Sequence, residues 1–316
     1  MVRGGNGMKQ HRSAAYVKSG DLRQKKFLTG SRIFHFFNYI FLTFIVIITL
    51  YPMYFVIVAS ISDPDELQRH AGLLLAPLGK VTLSAYKLVF QNAMIGRGYL
   101  NTIFILVVGV SINLIMTIAG AYFLSLKNVM FKKNIMVFII FTMYFSGGMI
   151  PNYLNIRDLH LLDSIWSLII PGAISTTNMI IMRTAFVSVP DSLLEAAKID
   201  GANHLQILSK IMLPLVKATL AVMVLYYGVG HWNSWFSASI YLRTPSKFPL
   251  QLVLRNILLA NQSATMTGGV SMDEMANLAE LIKYALIIVS TVPILIIYPF
   301  LQKFFTKGVM IGAVKE

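Results

Sequence analysis

The sequence predicts an all-α integral membrane protein with six transmembrane helices. More than half of the 316 residues (56%) are apolar, mean hydropathy is +0.67, and only 13% are charged. A soluble domain of this length could not build its aqueous surface from so few charges. The apolar residues fall in continuous runs of ~20 or more, long enough for a helix to cross a bilayer core. A membrane barrel would instead show short segments of alternating polarity. Lys and Arg are also distributed unevenly between the connecting segments, as polytopic proteins require.

Residues 1–32 hold eight Lys and Arg and read as a basic cytoplasmic tail. The run that follows, Ile33–Ile61, is too long for a signal peptide and has no small-residue cleavage site. It is the first helix, and Pro52 predicts a kink in it. Residues 62–97 form a polar outer segment in which Asp63, Asp65 and Glu66 read as a solvated loop, with Asp63-Pro64 starting a turn. The second helix, Tyr99–Leu126, carries Asn101 and Asn113, and Lys127, Lys132 and Lys133 mark the turn after it. The third helix, Asn134–Tyr153, contains Ser146-Gly147-Gly148, small residues that permit a break or close packing. The fourth, Ile165–Phe186, is interrupted by Pro171-Gly172; the fifth is Lys217–Ile240 and the sixth Leu281–Phe305. The six helices form one domain over residues 33–305, with a long outer loop at 241–280 and a cytoplasmic tail at 306–316.

With the N-terminus inside, 18 Lys and Arg lie in inner segments and 9 in outer ones, against 5 and 8 acidic residues. The formal charge of +14 is therefore almost all on the inner side, which accounts for it without a nucleic-acid partner. Both termini and the polar stretch 190–214 fall in the cytoplasm.

Little in the chain could carry out covalent chemistry. There is no cysteine, so no disulfide, thiolate metal site or thiol nucleophile. The six histidines show no metal-binding spacing, and neither a P-loop nor a nucleophile elbow is present. No catalytic residue, metal site or cofactor is expected in this chain.

Between the fourth and fifth helices lies PDSLLEAAKIDGANHLQILSKIMLP, residues 190–214. Ser188 with Asp191 reads as a capping box around Pro190 in the first turn. The helix ends at Gly201, and a second short helix starts at Asp200 or Asn203 and leads to Pro214. This helix–elbow–helix is too short and too polar to lie in lipid, yet it has an apolar side that includes Leu193, Ile199 and Leu205. Its residues Glu195-Ala196-Ala197, Asp200-Gly201-Ala202, Ile211 and Leu213-Pro214 closely resemble the EAA loop of permease subunits of binding-protein-dependent ATP-binding-cassette (ABC) importers. The resemblance covers about residues 33–316. It implies the type I ABC importer permease fold, with these nine residues in cytoplasmic coupling helices that dock on an ATPase.

The same resemblance implies the partners: a second, related permease, two ATPase subunits that bind ATP and Mg, and an extracellular or periplasmic binding protein. The whole would sit in a bacterial cytoplasmic membrane. WNSWFSASIYL after the fifth helix and GVMIGAVKE at the end are similar to the sugar branch, the maltose-type second permease above all. FSGGMIPNYL and PLQLVLRNIL are similar to permeases for oligosaccharides of complex polysaccharides, uronate-containing ones among them. In this family the loop before the sixth helix probes the docked binding protein, which would place such contacts within about Asn261–Glu274.

Polar residues inside spans usually face a cavity or the bundle interior. Tyr227, His231, Trp232, Asn233 and Trp235, with Tyr144 of the third helix, are the candidates for lining a sugar path. Aromatic planes suit the apolar face of a pyranose and amide or imidazole groups suit its hydroxyls, although the tryptophans equally suit an interfacial aromatic belt and His231 a structural hydrogen bond. The expected function is import of oligosaccharides. The alternatives are import of a non-sugar solute or, from another class, an integral-membrane glycosyltransferase, which would need a carboxylate cluster that the caps and the dock leave unsupplied.

Overall fold

The computed structural model describes the backbone of residues 8–266 and 273–313, and the side chains of 31–259, 281–300 and 302. All regular structure among them is helical. The chain divides into two compact units. The first is α1 (Met8–Ser60) as far as Val58, with Leu73–Ala76. The basic segment is thus helical from Met8 and runs directly into the first apolar run, with Pro52 inside the helix. The Tyr51 hydroxyl accepts the Leu74 N–H at 3.0 Å, and the Tyr54 hydroxyl donates to the Leu75 carbonyl at 2.6 Å. These bonds satisfy backbone groups of a segment that has no ladder of its own.

The second unit begins with two short helices, α2 (Pro64–Arg69) and α3 (Ser84–Gln91). Asp63 caps α2 with Pro64 in its first turn, as the Asp63-Pro64 turn predicts. The axis of this unit is α4 (Ala93–Ser125), capped by Asn92. Apolar residues surround α4 on most sides, but Gly98, Thr102, Gly109, Asn113, Thr117 and Ala121 recur along it at helical spacing, and all are buried. Small side chains at that spacing let neighbouring backbones approach, and the three polar ones can bond across helices. Against α4 pack α7 (Thr176–Val187), α10 (Lys217–Trp232) and α12 (Leu250–Met266), and α10 in turn packs against α13 (Asp273–Ala313). One apolar core joins Tyr122, Met182, Phe186, Met212 and Met223, and a second joins Ile105, Ile169, Ala238 and Leu252.

Two of the spans break where the sequence marks them, at Ser146-Gly147-Gly148 and Pro171-Gly172, and others differ from the expected bounds. The third run is α5 (Lys132–Tyr144) and α6 (Met149–Asp158), bent by 110° at Phe145–Gly148. The fourth has a 3₁₀ turn at Ile165–Leu168, an irregular stretch through Pro171-Gly172, and then only the twelve residues of α7. The fifth stops at Trp232 and resumes as α11 (Trp235–Tyr241), and the expected outer loop contains α12. The sixth extends both ways, into the loop before it and the tail after it. Among the described residues, three helices are long and apolar enough to cross a membrane, and up to five spans result if each bent pair counts as one.

Candidate functional site

The stretch after α7 forms two helices around an elbow. The predicted capping box at Ser188 does not form: the Ser188 hydroxyl turns back to donate to the Ala185 carbonyl at 2.8 Å, and Pro190 stands at the start of α8 (Asp191–Ile199) with no side-chain cap. Serine at a helix C-terminus can bond the preceding turn as readily as the next helix. At the other end of α8, the Gly201 N–H bonds the Lys198 carbonyl at 3.0 Å and the Ala202 N–H bonds the Ala197 carbonyl at 2.9 Å. With φ of +77° at Gly201, this is a Schellman ending, and the residue is glycine because that backbone conformation disfavours a Cβ.

The second helix, α9 (His204–Leu215), starts in a reciprocal capping box, in which the Gln206 N–H donates to Asn203 Oδ1 and the Asn203 N–H to Gln206 Oε1, both at 2.9 Å. Of the two expected starts, Asn203 is the one used. A π turn at Leu208–Met212 precedes Pro214, whose ring would crowd the carbonyl four residues back in a regular α-helix. At Val216 the chain turns by 86° into α10, so α9 lies across the end of that helix.

Ala197, Ile207 and Met212 are buried and anchor the segment to the inner core. His204 Nδ1 meets the Tyr122 hydroxyl of α4 at 3.0 Å, and Lys127 Nζ pairs with Asp191 Oδ2 at 2.5 Å. That hydrogen bond and charge hold the Lys127 ammonium above its ordinary pKa. Away from that anchor Ile199 and Leu205 are 86% and 73% exposed, and Leu193, one turn before Ala197, is partly exposed. Glu195, Ala196, Asp200, Gly201 and Pro214 share that exposure, while Ala202, Ile211 and Leu213 are half-buried.

The polar residues of the fifth helix separate into two groups. Tyr227 is buried; its hydroxyl meets Thr117 Oγ1 at 2.6 Å and accepts the Ser175 N–H at 3.1 Å. His231 Nε2 meets Asn113 Oδ1 at 2.7 Å, and Asn113 Nδ2 donates to the Gly172 carbonyl at 2.6 Å. Trp232 is buried and its indole N–H donates to the Ser290 carbonyl of α13. These three side chains point into the bundle, and two of them lead to the irregular stretch Ile169–Ser175. Backbone freed from helical pairing within a membrane needs such side-chain partners. Asn233 and Trp235 are exposed just past the end of α10, Trp235 carrying the Arg255 guanidinium over its ring. Tyr144 is 80% exposed beside the α5–α6 bend and is not gathered with the others.

Sequence reasoning missed the partners: Thr117, Ser175 and Tyr122 carried no signal of their own, although a Pro-Gly break in a span is itself a demand for polar neighbours. It also missed Asp163, whose carboxylate accepts the Arg243 N–H, the Thr244 N–H and hydroxyl, and Lys247 Nζ at 3.0 Å. The Thr244 hydroxyl and the two N–H groups, helped by Lys247, hold the Asp163 carboxyl well below the usual carboxylate range. The side chains of Asn261–Glu274 lie outside the described residues.

Residues 122–311 match the family described as the binding-protein-dependent transport system inner membrane component. The chain belongs to that family. The chain is similar to the polygalacturonan/rhamnogalacturonan transport system permease protein YtcP of Bacillus subtilis (strain 168), 38% identical over 90% of this chain and 99% of that protein's length. Protein LplC of the same organism is 40% identical over 90% of this chain and 96% of its own. Among solved structures, a bacterial ABC transporter involved in the import of the acidic polysaccharide alginate matches with a TM-score of 0.77 and 36% identity, over 87% of this chain and 97% of that one. As an inner membrane component of this family, the chain is a multi-pass transport permease.

Proposed function

We propose that this chain is one of two permease subunits of an ATP-driven importer of oligosaccharides, uronate-containing polysaccharide fragments among them. The observation that carries the coupling is the α8–Gly201–α9 elbow: anchored by Ala197, Ile207 and Met212, it leaves Ile199, Leu205 and part of Leu193 uncovered by any of the described residues. Exposed apolar residues fixed on rigid helices suit a docking surface, and the positive-inside distribution puts them on the cytoplasmic side. There one of two ATPase subunits, which bind ATP and Mg, would seat. The transport of polygalacturonan/rhamnogalacturonan by one relative and of alginate by another supports the substrate class. A second permease completes the path, an extracellular or periplasmic binding protein delivers the sugar, and six spans keep both termini inside.

The lever runs through named contacts. A pull on α8 and α9 passes through Val216 into α10, and through Tyr122–His204 into α4. From α10, Tyr227 and His231 reach the 169–175 stretch. The exposed Tyr144, Asn233 and Trp235 remain the path candidates, whereas Tyr227, His231 and Trp232 hold the helices that move.

The test is ATP hydrolysis by the purified complex in nanodiscs, with binding proteins loaded or empty. Stimulation by one oligosaccharide-loaded binding protein, lost in Glu195→Ala or Gly201→Val, is the expected result. A chain that never co-purifies with an ATPase, or a rate that no oligosaccharide changes, overturns the reading.

A further inference from the structure

We propose that Arg255, held over the Trp235 ring, is a recognition site for the carboxylate of a uronate sugar entering the permease. The inference rests on the oligosaccharide-importer reading above and adds to it the residue that would tell acidic from neutral sugar. Arg255 belongs to the apolar part of α12, Leu250–Leu259, where Leu252, Val253 and Leu254 are all buried. An arginine half-buried among such apolar residues gives up part of its hydration, which is costly unless it has a partner or a task. Among the described residues no carboxylate forms an ion pair with it, whereas Lys247 and Arg157 of the neighbouring outer segments pair with Asp163 and Asp158.

What Arg255 has instead is an aromatic plane, with its guanidinium carbon 4.6 Å from the centre of the Trp235 ring. A guanidinium lying over a ring interacts through its face and leaves its in-plane N–H groups available for a bidentate acceptor. Arg255 is half-buried and Trp235 38% exposed, so the pair is open on one side but partly removed from water. There a charge-assisted bond to a carboxylate is strong, and the rest of the indole offers the apolar plane on which a pyranose ring stacks. A phosphate would satisfy the guanidinium equally but leave the indole unused.

The complete complex, reconstituted in liposomes with its binding protein, is given α-1,4-linked trigalacturonate or its fully methyl-esterified, neutral counterpart. The binding protein is common to all variants, so its own preference cancels in the comparison with wild type. Wild type is expected to take up the acid in preference. Arg255→Gln should lower the acid-to-ester uptake ratio about tenfold, the effect of losing one charge-assisted contact, and Arg255→Lys should keep part of the preference through its charge. An unchanged ratio in Arg255→Gln, or equal losses on both sugars in both variants, overturns the proposal. Failure of wild type to take up either sugar or any other oligosaccharide would instead sink the importer reading on which it rests.

Discussion

At the scale of single residues, the second and fifth helices touch where side chains leave no slack. A Cβ at Gly109 would lie 2.6 Å from His231 Nε2, the atom that meets Asn113. Gly109→Ala must therefore displace the imidazole and cost ~1–3 kcal/mol, as overpacking does; thermal unfolding of the complex in nanodiscs should register it. His231→Ala in the same chain should return part of the loss, and an undiminished melting temperature in Gly109→Ala would contradict the packing described. Tyr227→Phe removes only an oxygen yet leaves the Thr117 hydroxyl and the Ser175 N–H without their shared partner. Its expected cost is about 1–3 kcal/mol, visible as faster hydrogen exchange at Ser175 and nearby amides.

Among elements, the two junctions differ in what they tolerate. Nothing lies within 4 Å of a Cβ built on Gly201, so substitution there strains the backbone without a clash. Gly201→Asn should be mild because asparagine accepts a left-handed conformation, while Gly201→Val should cost ~1–2 kcal/mol at the elbow and uncouple ATP hydrolysis from uptake. Wild-type uptake by Gly201→Val at equal expression would refute the lever. The Asp163 clamp joins the segment after α6 to the segment after α11. A depressed carboxyl contributes its stability above the unfolded pKa, near 4, and loses it only as pH falls through the still lower folded value. Protection of the Arg243 and Thr244 amides should therefore be flat from about pH 8 to pH 5 and lost at neutral pH in Asp163→Asn.

For the whole molecule, membrane sidedness is directly testable because the chain has no native cysteine. A single cysteine replacing Asp200 should react with an impermeant maleimide only from the cytoplasmic side, and one replacing Lys80 only from outside. The reverse pattern would overturn the charge-based orientation. Much of the architecture was legible: the apolar runs of α1, α4 and α13, the polar stretch between them, and the glycine elbow with Asn203 behind it. Hydropathy measures how much apolar surface a run carries but not its direction. The 110° turn at Phe145–Gly148 and the shortness of α7 were therefore beyond it, and the ten residues Leu250–Leu259, three of them polar, are too short a run to announce a helix within a loop. Direction is decided by partners distant in sequence, as when Asn113 and Tyr227 reach the interruption near Gly172. The same physics gives the bare elbow a cost to the cell. Ile199 and Leu205, left in water on a subunit made in excess, are the kind of surface that chaperones and proteases bind. On the proposed reading, the chain synthesised without its ATPase should be short-lived, and pulse-chase half-lives with and without that partner would measure it. Equal half-lives would mean that something else covers those two side chains; a longer one with the ATPase would make supply of that partner the control on how many importers accumulate.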